Sequence, residues 1–290
     1  MKQSVKTVGI IGGDKRQLYL ADLFIKDGFK VILGGFDTLK SVGDIAITDV
    51  DSALEYGDII ILPLPSIRSD GSINAPFSQG NIYLSDDQLE LIMTKPIFAS
   101  FSEKLLRAYP KLKTAPVFDY ASREDFAILN AVPTAEGAIE YAMCAYEGTI
   151  AGSSSLVAGF GRIGKILANK LKALGSNVTV SARKFEDLAF INALGYKAEN
   201  TEELKQLSGY DLVFNTIPAM IFDENMLKNT DRDTLIIDLA SSPGGVDFEA
   251  ARSLKIDAQR ALSLPGKCAP KTAAKIIKQT VNLIIKEVNW

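Results

Sequence analysis

Gly159, Gly161 and Gly164 stand at Gly-x-Gly-x-x-Gly spacing in the stretch Ser155-Leu-Val-Ala-Gly-Phe-Gly-Arg-Ile-Gly164. That spacing serves dinucleotide binding. The first glycine permits a tight turn, the second lets backbone approach a pyrophosphate, and the third lets a helix pack closely on a strand. The apolar run Leu156, Val157, Ala158 precedes the turn, and Ile163, Ile166, Leu167, Leu171 and Leu174 recur along one side of the segment after it. A strand, a turn and a helix are therefore expected in that order. Arg162, inside the turn, either adds a phosphate contact or is simply solvated. The next strand, Asn177-Val-Thr-Val-Ser-Ala-Arg183, ends where enzymes that use NAD usually carry an acid for the adenosine ribose. This chain has Ser181, Ala182, Arg183 and Lys184 there. A guanidinium fork stays charged and suits a 2′-phosphate, so the cofactor is read as NADP(H). Glu186 and Asp187 just beyond fit the first turn of the following helix, where acids favour the dipole.

Histidine is absent from the chain. The commonest proton carrier near neutrality is thus missing, and Asp, Glu, Lys, Tyr, Cys or water must move any proton. Asp238 is a candidate base or ribose ligand, followed by Ser241, Gly244 and Gly245 in a loop able to approach a planar ligand; an ordinary glycine-rich strand exit is the alternative. Asn215, Thr216, Ile217 and Pro218 follow another strand, where the first two either meet the nicotinamide end of the cofactor or cap the turn. Arg16, Arg123 and Lys271 are candidate cations for substrate carboxylates, with Ser241 beside the substrate. Each cation alone also fits a surface charge. Glu136 is a weaker candidate acid, because a place in the first turn after Pro133 explains it equally well. Cys144 and Cys268 are far apart and lack a Cys-x-x-Cys or histidine companion, which predicts reduced thiols and no metal site.

Positioning these residues requires an α/β fold. Short β-branched runs near 8–11, 31–33, 59–62, 97–100 and 116–118 alternate with helical patterns over 17–26 and 86–94. The second half repeats the plan, with strands near 155–159, 177–182, 211–215, 234–238 and 256–261 and helices between them. This predicts two Rossmann-like parallel-sheet domains joined by crossover helices, with a cleft between them. The expected boundaries are 1–131 for a substrate or partner domain, 132–148 for a bridging helix begun by Pro133, and 149–269 for the NADP domain. An amphipathic helix over 270–290 is expected to return to the first domain. Gly12-Gly-Asp-Lys-Arg16 resembles a second nucleotide turn, with Asp37 after the next strand, but it lacks the fingerprint spacing. It reads as an ordinary strand-to-helix turn, with Asp14 capping the helix and Arg16 lacking a local task.

The net charge is −3 with charges scattered along the chain, so no basic footprint for nucleic acid appears. Apolar runs fall short of a membrane span, and a cytoplasmic location is expected.

Gly12-Gly-Asp-Lys-Arg-Gln17, Asn130-Ala-Val-Pro-Thr-Ala-Glu-Gly137, the Gly159 fingerprint, Asn215-Thr-Ile-Pro218, the stretch from Asp238 to Phe248, and Leu264-Pro-Gly266 with Ala269-Pro-Lys-Thr-Ala273 occur in this order. In that combination the chain resembles the dipicolinate synthase A-subunit family over nearly its whole length. The resemblance implies NADP-dependent oxidation of dihydrodipicolinate, derived from 4-hydroxy-tetrahydrodipicolinate, to pyridine-2,6-dicarboxylate. It also implies a partner, the flavoprotein-like B subunit, and the mother-cell cytoplasm of a sporulating bacterium as location. Whether copies of the chain associate stays open. The alternatives are a relative of D-2-hydroxyacid dehydrogenases or adenosylhomocysteinase, and a non-catalytic NADP(H)-binding subunit. The first usually uses a histidine-carboxylate pair and the second usually binds NAD.

Overall fold

The computed structural model describes residues 5–40 and 45–290. The chain divides into two units, one formed by 1–129 with 270–290 and the other by 130–269.

In the first unit the elements run β1 (Thr7–Ile11), α1 (Lys15–Lys26), β2 (Lys30–Gly34), β3 (Ala46–Thr48), α2 (Val50–Tyr56), β4 (Ile59–Ile61), α3 (Asp86–Ile92), β5 (Ile97–Ala99), α4 (Ser102–Ala108) and β6 (Val117–Asp119). Helix α5 (Glu124–Ala145) then carries the chain across the unit boundary. The strands pair in parallel in the order β3-β2-β1-β4-β5-β6, so the winding reverses between β1 and β4. Because side chains alternate across a strand, Val8, Ile10, Leu33, Ile59, Ile61 and Phe98 face one layer while Ile11, Ile32, Ile60 and Ile97 face the other. Both faces are buried, which is why these strands read as unbroken apolar runs.

The second unit contains β7 (Ser154–Ala158), α6 (Arg162–Ala173), β8 (Asn177–Ala182), α7 (Phe185–Ala193), β9 (Lys197–Asn200), β10 (Leu212–Asn215), α8 (Glu224–Lys228), β11 (Leu235–Asp238), α9 (Phe248–Leu254), β12 (Asp257–Arg260) and α10 (Leu264–Cys268). Its parallel order is β12-β11-β10-β7-β8-β9, reversing between β7 and β10. Val157, Val180, Phe214 and Ile237 pack under α5, α6 and α7, while Leu156, Val213 and Ile236 pack under α8 and α9.

Helix α11 (Pro270–Glu287) belongs to the first unit, where Ala274, Ile277, Val281 and Ile284 join the core beside Leu20 and Phe24 of α1. Lys278 fastens it, pairing with Asp27 at 2.6 Å and donating to the Leu23 carbonyl at 2.7 Å.

One local expectation is overturned and two short elements are added. Pro133 does not begin a helix but lies inside α5; buried Ala131, Ala135, Ala138 and Ala142 hold the helix through the position where the proline N–H is missing. The short β3 and α2 carry no long apolar period; their clearest signal is Asp49, whose side chain caps α2 by accepting from the Ser52 N–H at 2.6 Å.

Ile277 is 1% exposed, so Ile277→Ala should cost about 3 kcal/mol through lost transfer energy and a residual cavity. Urea unfolding followed by Trp290, the single tryptophan, checks this; an unchanged midpoint would remove α11 from the first unit's core.

Candidate functional site

The carboxyl ends of β7, β8, β10 and β11 lie along one edge of the second sheet, at the place where open parallel sheets hold ligands. Helix α6 reaches this edge because its own residues permit a very close approach. A Cβ on Gly164 would collide with the Gly159 carbonyl oxygen, and one on Gly159, at φ +101°, would collide with Thr216 Oγ1. Both glycines are therefore required by packing. Gly161 is not: its φ of −80° suits any residue, and a Cβ there would meet nothing within 4 Å. It is also the N-cap of α6, and no side chain caps the helix. The turn thus leaves open space against a helix N-terminus, the arrangement that accepts a phosphate anion. Arg162 is exposed and Ile163 half-buried against the core at this end.

At the end of β8, Arg183 is exposed and forms no ion pair with the described residues. Lys184, also exposed, stands 3.5 Å from Glu186, a contact too solvated to hold it. Ser181 is different. It is fully buried, its hydroxyl accepts from Thr201 Oγ1 at 3.1 Å, and its carbonyl accepts the Gly159 N–H at 3.0 Å. It shapes the glycine turn from beneath instead of presenting a contact at the surface.

The loops after β10 and β11 are tied together by a buried polar brace. Asn215 Nδ2 donates to Asp238 Oδ1 at 2.7 Å and to the Ile217 carbonyl at 3.0 Å, while its Oδ1 accepts the Ile217 N–H at 3.0 Å. Asp238 accepts two further bonds, from the N–H of Ala240 at 3.1 Å and of Gly245 at 3.2 Å. Both side chains are completely buried. Thr216 turns inward as well, its hydroxyl and N–H both donating to the Ala158 carbonyl at 2.8 and 2.9 Å. Asp238 is accordingly a buried carboxylate whose bonds are satisfied within the protein, and Asn215 and Thr216 likewise spend their side-chain groups on internal partners. What reaches the surface here is half-buried Ile217, exposed Pro218 and exposed Ser241.

The candidate cations separate by their partners. Arg123 donates from Nε to Asp125 at 2.9 Å and from Nη1 to Glu287 at 2.6 Å, and these two carboxylates hold the guanidinium well above its ordinary range. The guanidinium is thus already engaged by two carboxylates of the first unit, which a substrate carboxylate would have to displace. Arg16 does have a local task, contrary to expectation: Nε and Nη2 bond Asp14 at 2.9 and 2.8 Å, and Nη2 also donates to the Leu64 carbonyl. Only Nη1 has no partner among the described residues, and the side chain is 5% exposed. Lys271 is exposed at the start of α11 with no ion pair to a described residue. Glu136 sits in mid-helix, paired with Lys170 at 2.8 Å, so the first-turn explanation for it fails. Burial, with Glu140 beside it, pushes the Cys268 thiol up to about 11, which keeps it protonated at neutral pH.

The glycine turn of the first unit is closed to a nucleotide by its own bonds. The N–H of Gly12 donates to Gly34 and that of Gly13 to Asn74, each at 2.8 Å, and the Asp14 carboxylate caps α1 where a phosphate would lie. Asp37 accepts the Gln79 N–H at 2.9 Å, so it too is engaged.

Residues 7–121 match the family described as the N-terminal domain of the dipicolinate synthase A subunit, and residues 155–242 match the family described as NADP oxidoreductase, coenzyme F420-dependent. The dipicolinate synthase A subunit of Bacillus subtilis (strain 168) is 36% identical over 288 residues, covering 97% of this chain and 96% of that protein. Among solved structures, the dipicolinate synthase A subunit of Bacillus halodurans superposes with a TM-score of 0.86 at 33% identity, over 97% of each chain. The dipicolinate synthase A chain from Bacillus subtilis gives 0.85 at 34% identity, over 99% of this chain and 98% of that one.

Replacing Asp238 by Ala strands the Asn215 amide and two backbone N–H groups in the interior and should cost about 3 kcal/mol of stability. A thermal or urea midpoint measures it. A variant as stable as the parent but with collapsed turnover would restore Asp238 as a proton acceptor.

Proposed function

The chain belongs to the dipicolinate synthase A-subunit family, and from that premise we propose that it catalyses the NADP-dependent oxidation of dihydrodipicolinate to pyridine-2,6-dicarboxylate. Its second unit is an oxidoreductase domain of a kind that takes a nicotinamide cofactor. The single observation that carries the cofactor reading is Gly161, a glycine that neither backbone angle nor protein packing requires, at the uncapped start of α6. Room for backbone to approach a pyrophosphate accounts for it.

When bound, the nicotinamide ring supplies the hydride acceptor. The chain supplies binding and orientation. The N-terminal turn of α6 would hold the pyrophosphate, and Arg183, exposed and unpaired among the described residues, is assigned to the 2′-phosphate with Lys184 adding positive charge. Ile217 and Pro218 provide an apolar rim at the end of β10, and Ser241 a hydroxyl at the end of β11. Arg16 through Nη1, and Lys271, are assigned to substrate carboxylates. Oxidation removes a hydride and a proton from the dihydropyridine ring and leaves an aromatic product. With histidine absent, Asp238 engaged in the brace and Glu136 paired with Lys170, the proton is assigned to water. Aromatisation favours the forward direction without a stronger base. The substrate is proposed to form by loss of water from 4-hydroxy-tetrahydrodipicolinate.

The relatives are each one lettered component of a synthase, which supports a second component, proposed to be the flavoprotein-like B chain, and a role in the mother-cell cytoplasm during sporulation. In the structure no helix among the described residues is long and apolar enough to cross a membrane.

The purified chain, with and without the B chain, should convert 4-hydroxy-tetrahydrodipicolinate and NADP+ to equal amounts of NADPH and dipicolinate, read by absorbance. NADP+ binding without product in either case would make the chain a non-catalytic binding subunit. Arg183→Ala should weaken NADP+ by about 1.5 to 3 kcal/mol and leave NAD+ little changed, since the lost contact is a charged hydrogen bond to a group NAD+ lacks. Equal losses in calorimetric titrations of the two would remove Arg183 from the 2′-phosphate.

A further inference from the structure

Phe185, the first residue of α7, is 83% exposed, more than any other large apolar side chain among the described residues. A phenyl ring left in water forgoes the gain that burial brings, whereas the other large apolar side chains of α7 have partners, Phe190 while still 55% exposed. Ile191 is buried, Leu188 packs against the same core, and Phe190 meets the Phe160 ring at 6.1 Å. Phe185 has no ring or cation partner among the described residues. Its address is specific: it follows Arg183 and Lys184 directly, past the carboxyl end of β8, and β8 is paired to β7, whose own end carries the Gly159 turn.

We propose that Phe185 is the stacking platform for the adenine ring of the dinucleotide, an inference that rests on the cofactor reading above. In an open parallel sheet the adenosine half of the ligand lies beyond the end of the strand next to the glycine turn, here β8. A flat heteroaromatic base gains from stacking on an aromatic side chain whatever its substituents. The two neighbours then divide the recognition. Arg183 reads a phosphate that only NADP carries, while Phe185 binds a ring that NADP and NAD share. Phe185 therefore supplies affinity without selectivity, and Arg183 supplies selectivity.

Calorimetry on the full-length chain with adenosine 2′,5′-bisphosphate and with 5′-AMP tests this division. Phe185→Ala should weaken both probes by about tenfold, the scale of a lost base–aromatic stack, and Phe185→Trp should retain both. Arg183→Ala should weaken the bisphosphate alone. If Phe185→Ala binds both probes as the parent does while Arg183→Ala still loses the bisphosphate, the stacking assignment falls and the cofactor reading stands. If Phe185→Trp loses as much as Phe185→Ala, the ring face is not what the ligand uses and the assignment also falls. A parent chain that binds neither probe would overturn the cofactor reading itself.

Discussion

The second unit depends on one close approach, the packing of Gly164 against the Gly159 carbonyl. With no Cβ at either position, α6 starts directly beside the end of β7, and its first N–H groups open onto the edge of the sheet. Thr216 closes the other side of Gly159 and bonds the Ala158 carbonyl, which joins the end of β10 to the same turn. From there the Asn215–Asp238 bond extends the join to β11. A helix terminus, two loops and a strand end are thus held in register by contacts that admit no larger side chain and leave few buried polar groups unpaired.

The first unit is wound in the same strand order, yet its equivalent turn is sealed. Asp14 occupies the anion position with its own carboxylate, and Arg16 neutralises it. The same topology therefore gives an open anion site in one unit and an internally satisfied turn in the other. Part of the difference lies at the start of the helix, glycine at 161 against aspartate at 14, and part in the Gly13 N–H, which the Asn74 carbonyl already engages. Fold alone does not settle which sheet takes a nucleotide.

Much of this was legible in the residues themselves. The glycine spacing, the apolar strand cores, the helix cap at Asp14 and the unusual Arg183 are local features, and local chemistry explains them. The polar residues were harder to read. Asp238 and Asn215 have the types expected of catalytic and ribose-binding groups, but they face each other across adjacent strands, a pairing visible only once β10 and β11 are in register. Arg123 reads as a free cation until Glu287, at the far end of the chain, is brought against it. Pro133 carries a strong helix-start signal, overridden by the buried alanines around it. Exposure is likewise invisible in a sequence, and only the structure leaves Phe185 outside.

Which helix terminus meets the dinucleotide is tested most directly by a crystal structure of the chain with NADP+. The pyrophosphate should lie against the N-terminal turn of α6 at Gly161–Ile163, with the 2′-phosphate at Arg183. Density for the nucleotide at Gly12–Gln17 of the first unit would contradict the account.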